Sequence, residues 1–239
     1  MYNRYPSKIR QRRERFFNIP AVVIAIIILC FFAYVIPAYF MSYEKEDAFF
    51  ASFGFVPVLF AIDHGLMTRL SAITYSFLHG SWTHLGLNMT WFIIFGSPLA
   101  SRLGSFFFLL FWIFMAFIAA LTHFVFYTDS TVALVGASGA ISGLMGAAAR
   151  YDFQHVPEKY PSNRSGFSGS VLPMRVALQS RTVLVFVGGW FFLNLLTGIM
   201  SYPAGEEEGN AIAWEAHIGG LLAGFLTIGF FDRRSSLPL

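Results

Sequence analysis

The sequence predicts an all-α integral membrane protein with six transmembrane helices. Three observations predict it: an apolar composition, six apolar runs of bilayer-spanning length, and a one-sided distribution of lysine and arginine. Of 239 residues, 56% are hydrophobic and 12% charged, whereas charged residues make up about a quarter of a soluble domain. A helix needs roughly 20 residues to cross the hydrocarbon layer, and apolar runs of about that length fall at 18–40, 82–100, 106–127, 132–149, 182–200 and 211–231. They follow one another so closely that residues 18–231 form one membrane domain. A basic segment, 1–17, precedes it and a short tail, 232–239, follows.

The first run follows Arg4, Lys8, Arg10, Arg12, Arg13 and Arg15. A basic head before an apolar core also describes a secretory signal, but this core is too long for one, so a retained anchor is expected. Residues 49–62 are almost wholly apolar, too short to span, and carry Pro57. A re-entrant or interfacial hairpin that partly buries the first outer loop fits them. The second, third and fourth runs follow, the fourth being rich in glycine, alanine and serine. Residues 151–180, with Pro157, Pro161, Pro173 and a Ser/Gly-rich patch at 162–170, read as a flexible cytoplasmic connection to the fifth and sixth runs. The lone Cys30 excludes an internal disulfide, a thiol pair and a cysteine metal site. No cofactor or metal is expected.

Orientation follows from the positive-inside rule. Six crossings put both termini on one side, and that side would receive fourteen of the sixteen basic residues, leaving only Lys45 and Arg69 outside. The opposite side collects Glu44, Glu46, Asp47, Asp63, Asp129 and the run Glu206–Glu207–Glu208. Both termini are therefore expected in the cytoplasm. The positive charge serves topology and anionic lipid, and nothing interleaves aromatic with basic residues as a nucleic-acid surface would.

This topology brings reactive side chains to one layer. Ser138 in the fourth run, His217 in the sixth, and His84 with Asn88 in the second all fall within the first two turns after entry from the outside. Ser138 would lie roughly 10 Å below the surface at 1.5 Å per residue, and His84 and Asn88, four apart, share a face. A serine hydroxyl becomes a nucleophile when a base takes its proton, and imidazole is suited to that task. His217 would be the base. The Asn88 amide, the His84 imidazole and the Ser138 N–H are suitable donors to an oxyanion. Glu215, two residues from His217, lies on another helix face, so a Ser-His dyad without a carboxylate is the simpler arrangement. Taken singly, glycines and small residues in membrane helices are packing devices. Intramembrane ionisable groups are nevertheless functional candidates by default, and here separate helices deliver them to one depth.

Gly136-Ala137-Ser138-Gly139, His84-Leu85-Gly86-Leu87-Asn88 preceded by His79-Gly80, and Ala216-His217-Ile218-Gly219-Gly220-Leu221-Leu222-Ala223-Gly224 occur on the second, fourth and sixth runs. In motif and placement the stretch from about 69 to 231 resembles the rhomboid intramembrane serine proteases. The resemblance implies a six-helix rhomboid-like bundle with a partly membrane-embedded first outer loop, cleaving transmembrane protein substrates near their outer ends. It implies Ser138 as nucleophile, His217 as base, His84 and Asn88 as oxyanion donors, and His79 as a supporting histidine. Gly136 and Gly139 flank the serine, and Gly220 and Gly224 would let the fourth and sixth helices approach. A preference for small residues at the cut, with helix-destabilising residues nearby, is also implied.

The chain departs from the family pattern at three places. Ser142 stands where a bulky aromatic often packs on the histidine, Ala100 where an acidic residue is frequent, and no Trp-Arg pair accompanies Arg69-Leu70. Some other residue must then hold His217. Two rival functions are a catalytically inactive client-binding relative, which would normally lack the serine or the histidine, and a transporter, whose polar groups would run through the midplane. A bacterial inner membrane is the expected location.

Overall fold

The computed structural model describes residues 19–153, 166–167, 169–201 and 213–232. The basic head, the middle of the 151–180 connection, the Glu206–Glu208 run and the tail after Asp232 lie outside the described residues. The order is α1 (Ala21–Phe40), α2 (Tyr43–Phe53), α3 (Pro57–Ile62), α4 (Leu66–Thr74), a 3₁₀ turn (Tyr75–Phe77), α5 (Trp82–Leu103), α6 (Ser105–Phe126), α7 (Ser138–Ala149), α8 (Met174–Ala177), α9 (Arg181–Ser201) and α10 (Trp214–Phe231). A helix overlaps each of the six apolar runs. By length and hydropathy α1, α6 and α10 are each long and apolar enough to cross a bilayer, while the apolar helices in α7 and α9 are shorter. This is an integral membrane protein.

Burial follows from helical spacing. On α6 the buried side chains are Phe108, Phe111, Trp112, Met115, Ala116, Ala119 and Ala120, the alternating three- and four-residue steps of a single helix face. α1 buries only Val23, Ile26, Cys30 and Pro37. Its other face turns Ile28, Phe32 and Phe40 outward, which suits lipid and would be an aggregation surface in water. α7 is the opposite case. Gly139 through Ala149 are all buried, and α10, α6 and α5 surround it. A helix buried on every side needs small residues where neighbours press closest. An ideal Cβ built on Gly220 would lie 2.0 Å from the Gly139 carbonyl oxygen, and one on Gly224 would lie 1.8 Å from that of Gly143. The α7 and α10 backbones therefore touch.

One expectation is corrected. The fourth helix begins at Ser138, not near 132. Residues before it are extended because Phe55 and Leu134 exchange backbone hydrogen bonds of 3.1 and 2.8 Å, and Val58 N–H donates to the Ser130 carbonyl at 3.1 Å. These bonds capture an apolar stretch that hydropathy alone reads as helix. The 49–62 segment accordingly breaks at Gly54–Val56 between α2 and α3, and Phe55 is wholly buried.

The described parts of 151–180 are anchored to the helices and to each other. Tyr151 stacks on Phe167 with centroids 5.3 Å apart, Leu172 N–H donates to the Arg150 carbonyl, and Arg150 donates to the carbonyls of Leu172 and Phe225. Beside this anchor, Arg102 Nε and Nη2 donate to Asp232 Oδ2 at 3.0 and 2.9 Å, and the Tyr151 hydroxyl donates to the same oxygen at 2.9 Å. The Asp232 side chain is 1% exposed. Removing one partner of a buried pair strands the other charge, at a cost of about 3 kcal/mol or more. Asp232→Ala is therefore expected to lower the melting temperature of the detergent-solubilised protein markedly, which a thermal unfolding scan measures.

Arg69, one of the two basic residues assigned to the outer side, has local partners there. Its guanidinium lies 4.5 Å over the Phe60 ring, donates to the Phe60 carbonyl at 3.0 Å and contacts His64. Nearby, the Thr68 hydroxyl and then the Gly65 N–H hold the exposed Asp63 carboxyl below its ordinary range.

Candidate active site

Three helices present their N-terminal ends to one place. Ser138 is the first residue of α7, His217 the fourth of α10, and His84 the third of α5, with Asn88 one turn further along. The lead-in to Ser138 is fixed from both sides. Gly136 N–H donates to the Tyr75 carbonyl at 3.0 Å, and the buried Tyr75 hydroxyl donates to the Ala116 carbonyl of α6 at 2.8 Å. The 3₁₀ turn thus holds the lead-in to the serine by a backbone bond and ties it to α6 through the Tyr75 hydroxyl.

His217 Nε2 and Ser138 Oγ are 2.7 Å apart, the separation of a hydrogen bond between a nucleophile and its base. Because Ser138 opens a helix, the first N–H groups of α7 have no intrahelical acceptor and carry the positive end of the helix dipole. That end favours negative charge. Gly136 has φ +122°, a conformation open to glycine and strained for other residues. An ideal Cβ there would lie 2.7 Å from His84 Nε2 and 3.7 Å from Ser138 Oγ. Gly136 therefore keeps clear the space between hydroxyl and imidazole where a carbonyl could enter. Asn88 is buried at 6% exposure on the same helix as His84. His79 is fully buried and sets its ring edge-on to His84, centroids 5.0 Å apart at 70°.

Glycine packing supports the pair. Gly139, next to the serine, faces Ala119 and Tyr75, where a Cβ would come within 2.7 Å of the Ala119 methyl. Gly220 and Gly224 lie against the carbonyls of Gly139 and Gly143. The Ser138–His217 distance thus depends on direct α7–α10 backbone contact.

Glu215 points away from His217. It is 1% exposed and its Oε1 meets His123 Nδ1 of α6 at 2.5 Å. The partner of His217 lies elsewhere. Asn194 of α9 places Oδ1 2.6 Å from His217 Nδ1, and the Trp190 ring sits 6.3 Å from the imidazole, tilted by 36°. Both lie beside the imidazole. Sequence reasoning missed them, although a lone asparagine within an apolar run is itself a signal. Among the described residues no cluster of histidine, cysteine or acidic side chains could hold a metal ion.

Residues 66–234 match the Rhomboid domain family, a span that includes Ser138, His217, His84, Asn88, His79 and Asn194. Rhomboid protease GlpG of Serratia proteamaculans (strain 568) is 28% identical over 162 residues, 68% of this chain. The matched region covers 48% of that relative, so the chain spans about half its length. With its all-helical membrane architecture and a family match over most of its length, the chain belongs to the rhomboid family.

Proposed function

We propose that the protein is an intramembrane serine endopeptidase that hydrolyses peptide bonds in or near transmembrane segments of other membrane proteins. The carrying observation is the 2.7 Å contact between His217 Nε2 and Ser138 Oγ at the mouths of two touching helices. Family membership and similarity to a protein named a rhomboid protease point the same way.

In this mechanism Ser138 Oγ attacks the scissile carbonyl while His217 Nε2 takes its proton. The oxyanion forms beside the N-terminus of α7, where the Ser138 N–H, His84 and Asn88 donate to it. Collapse of the tetrahedral intermediate expels the amine, which receives the proton from His217 and leaves Ser138 acylated. Water, deprotonated by His217, then releases the acyl group and restores the hydroxyl. No metal or cofactor takes part.

The reading sets six crossings, α1, α5, α6, α7, α9 and α10, with a membrane domain at 18–231. The head 1–17 and tail 232–239 lie in the cytoplasm, and the 151–180 connection is a cytoplasmic linker. α7, with 12 residues, covers about 18 Å of a roughly 30 Å hydrocarbon layer, so its crossing is completed by non-helical chain. α2 to α4 then form an outer loop partly embedded in the bilayer, and the site opens to the outer face. The location is a bacterial inner membrane.

Purified protein in detergent or liposomes should cut a model single-span substrate bearing small residues near its outer end. Ser138→Ala should leave that substrate whole. A Ser138→Ala preparation that cleaves as fast as the native one would end this reading.

A further inference from the structure

Asn194 is a buried polar side chain in the apolar middle of α9, 5% exposed, and its two amide ends have different partners. Nδ2 donates to the Trp190 carbonyl one turn earlier, at 2.8 Å. That bond turns the NH₂ group toward its own helix and leaves Oδ1 facing His217 Nδ1 at 2.6 Å. A carbonyl oxygen only accepts hydrogen bonds, so Nδ1 must carry the proton. Neutral imidazole has one N–H, so Nε2 then holds the lone pair. That lone pair faces Ser138 Oγ at 2.7 Å. Proton accounting therefore runs from the Trp190 backbone through Asn194 and His217 to Ser138.

We propose that Asn194 is a positioning residue that selects the Nδ1–H tautomer of His217 and fixes the plane of its ring, so that the chain works through a Ser138–His217–Asn194 relay of hydrogen bonds. The proposal rests on the protease reading for its catalytic consequence, though not for its tautomer. During acylation the serine proton passes to Nε2, Nδ1–H continues to donate to Oδ1, and the amide itself gains and loses no proton. The same bond strengthens when the ring becomes cationic, because hydrogen bonds to charged groups exceed neutral ones. Glu215, the acidic residue nearest in sequence, is held by His123, and Ser142 offers no ring to stack. The neighbourhood of His217 thus leaves orientation of the imidazole to Asn194 on one side, with the Trp190 ring beside it.

The test compares Asn194→Leu, close in volume but without an acceptor, with Asn194→Asp, which keeps an oxygen in place. Asn194→Leu should lower kcat about 10- to 100-fold, the range for one hydrogen bond to a group that becomes charged, with KM changed less than about twofold because ground-state substrate binding is untouched. Asn194→Asp should recover most of kcat. Imidazole ¹⁵N NMR of His217, in protein labelled at histidine, should show Nδ1 protonated in the native protein and a tautomer mixture in Asn194→Leu. Unchanged kcat and tautomer in Asn194→Leu, or equal losses in the Leu and Asp variants, would overturn the proposal while native cleavage upholds the protease. A native protein that never cleaves yet loses its tautomer preference in Asn194→Leu would instead overturn the protease reading alone.

Discussion

Replacing Ser138 by alanine is expected to reduce kcat/KM toward a transmembrane substrate by about 10⁴-fold or more, and replacing His217 by alanine should cost nearly as much. In the proposed mechanism the two side chains, 2.7 Å apart, share one proton transfer. Without the hydroxyl there is no acyl-enzyme, and without the imidazole the hydroxyl keeps its proton. Effects within such a unit do not add, so the double variant should be no slower than the worse single one. Steady-state kinetics on all three variants, with folding checked by thermal unfolding, measures this. Additive losses in the double variant would mean that the groups act separately.

The second large effect is steric. Gly224→Ala places a methyl where the Gly143 carbonyl oxygen already lies, at 1.8 Å from the ideal Cβ position. Two terms oppose each other. Alanine improves helix propensity over glycine by about 1 kcal/mol. The clash is with backbone, which no rotamer change relieves, and overpacking of this kind costs up to about 3 kcal/mol or more. The clash wins. α7 and α10 must separate, and a shift of about 1 Å in a reacting pair lowers rate by about 100-fold. Gly229→Ala is the matched control, since on the same helix nothing lies within 4 Å of its Cβ position. Thermal unfolding and cleavage should both fail in Gly224→Ala and both survive in Gly229→Ala. Equal behaviour of the two variants would contradict the close approach of the helices.

Much of this architecture is readable from residues. The 3- and 4-residue spacing of Phe108, Phe111, Trp112 and Met115 marks the inner face of α6, and glycines four apart at 220 and 224 mark a close helix contact. Ser138, His217, His84 and Asn88 could be grouped because each follows a helix entry on the same inferred side. What was hidden depends on partners distant in the chain. Val132 to Val135 is apolar enough for a helix, yet Phe55 pairs with Leu134, and no local pattern foretells a bond across 79 residues. Asn194 was hidden for the same reason. Its chain position indicates a buried polar group, but only the way α9 faces α10 shows that the group meets His217. The stacking of Tyr151 on Phe167 was hidden likewise, because proline, serine and glycine between them report only local chain preferences.

The central claim is that Ser138 is a nucleophile activated by His217. Folded, detergent-solubilised protein should react with a fluorophosphonate probe, and mass-spectrometric peptide mapping of the product measures the claim directly. The account predicts a single adduct on Ser138 that disappears in both Ser138→Ala and His217→Ala. Folded native protein left without an adduct, or an adduct on another serine that persists in Ser138→Ala, would contradict it.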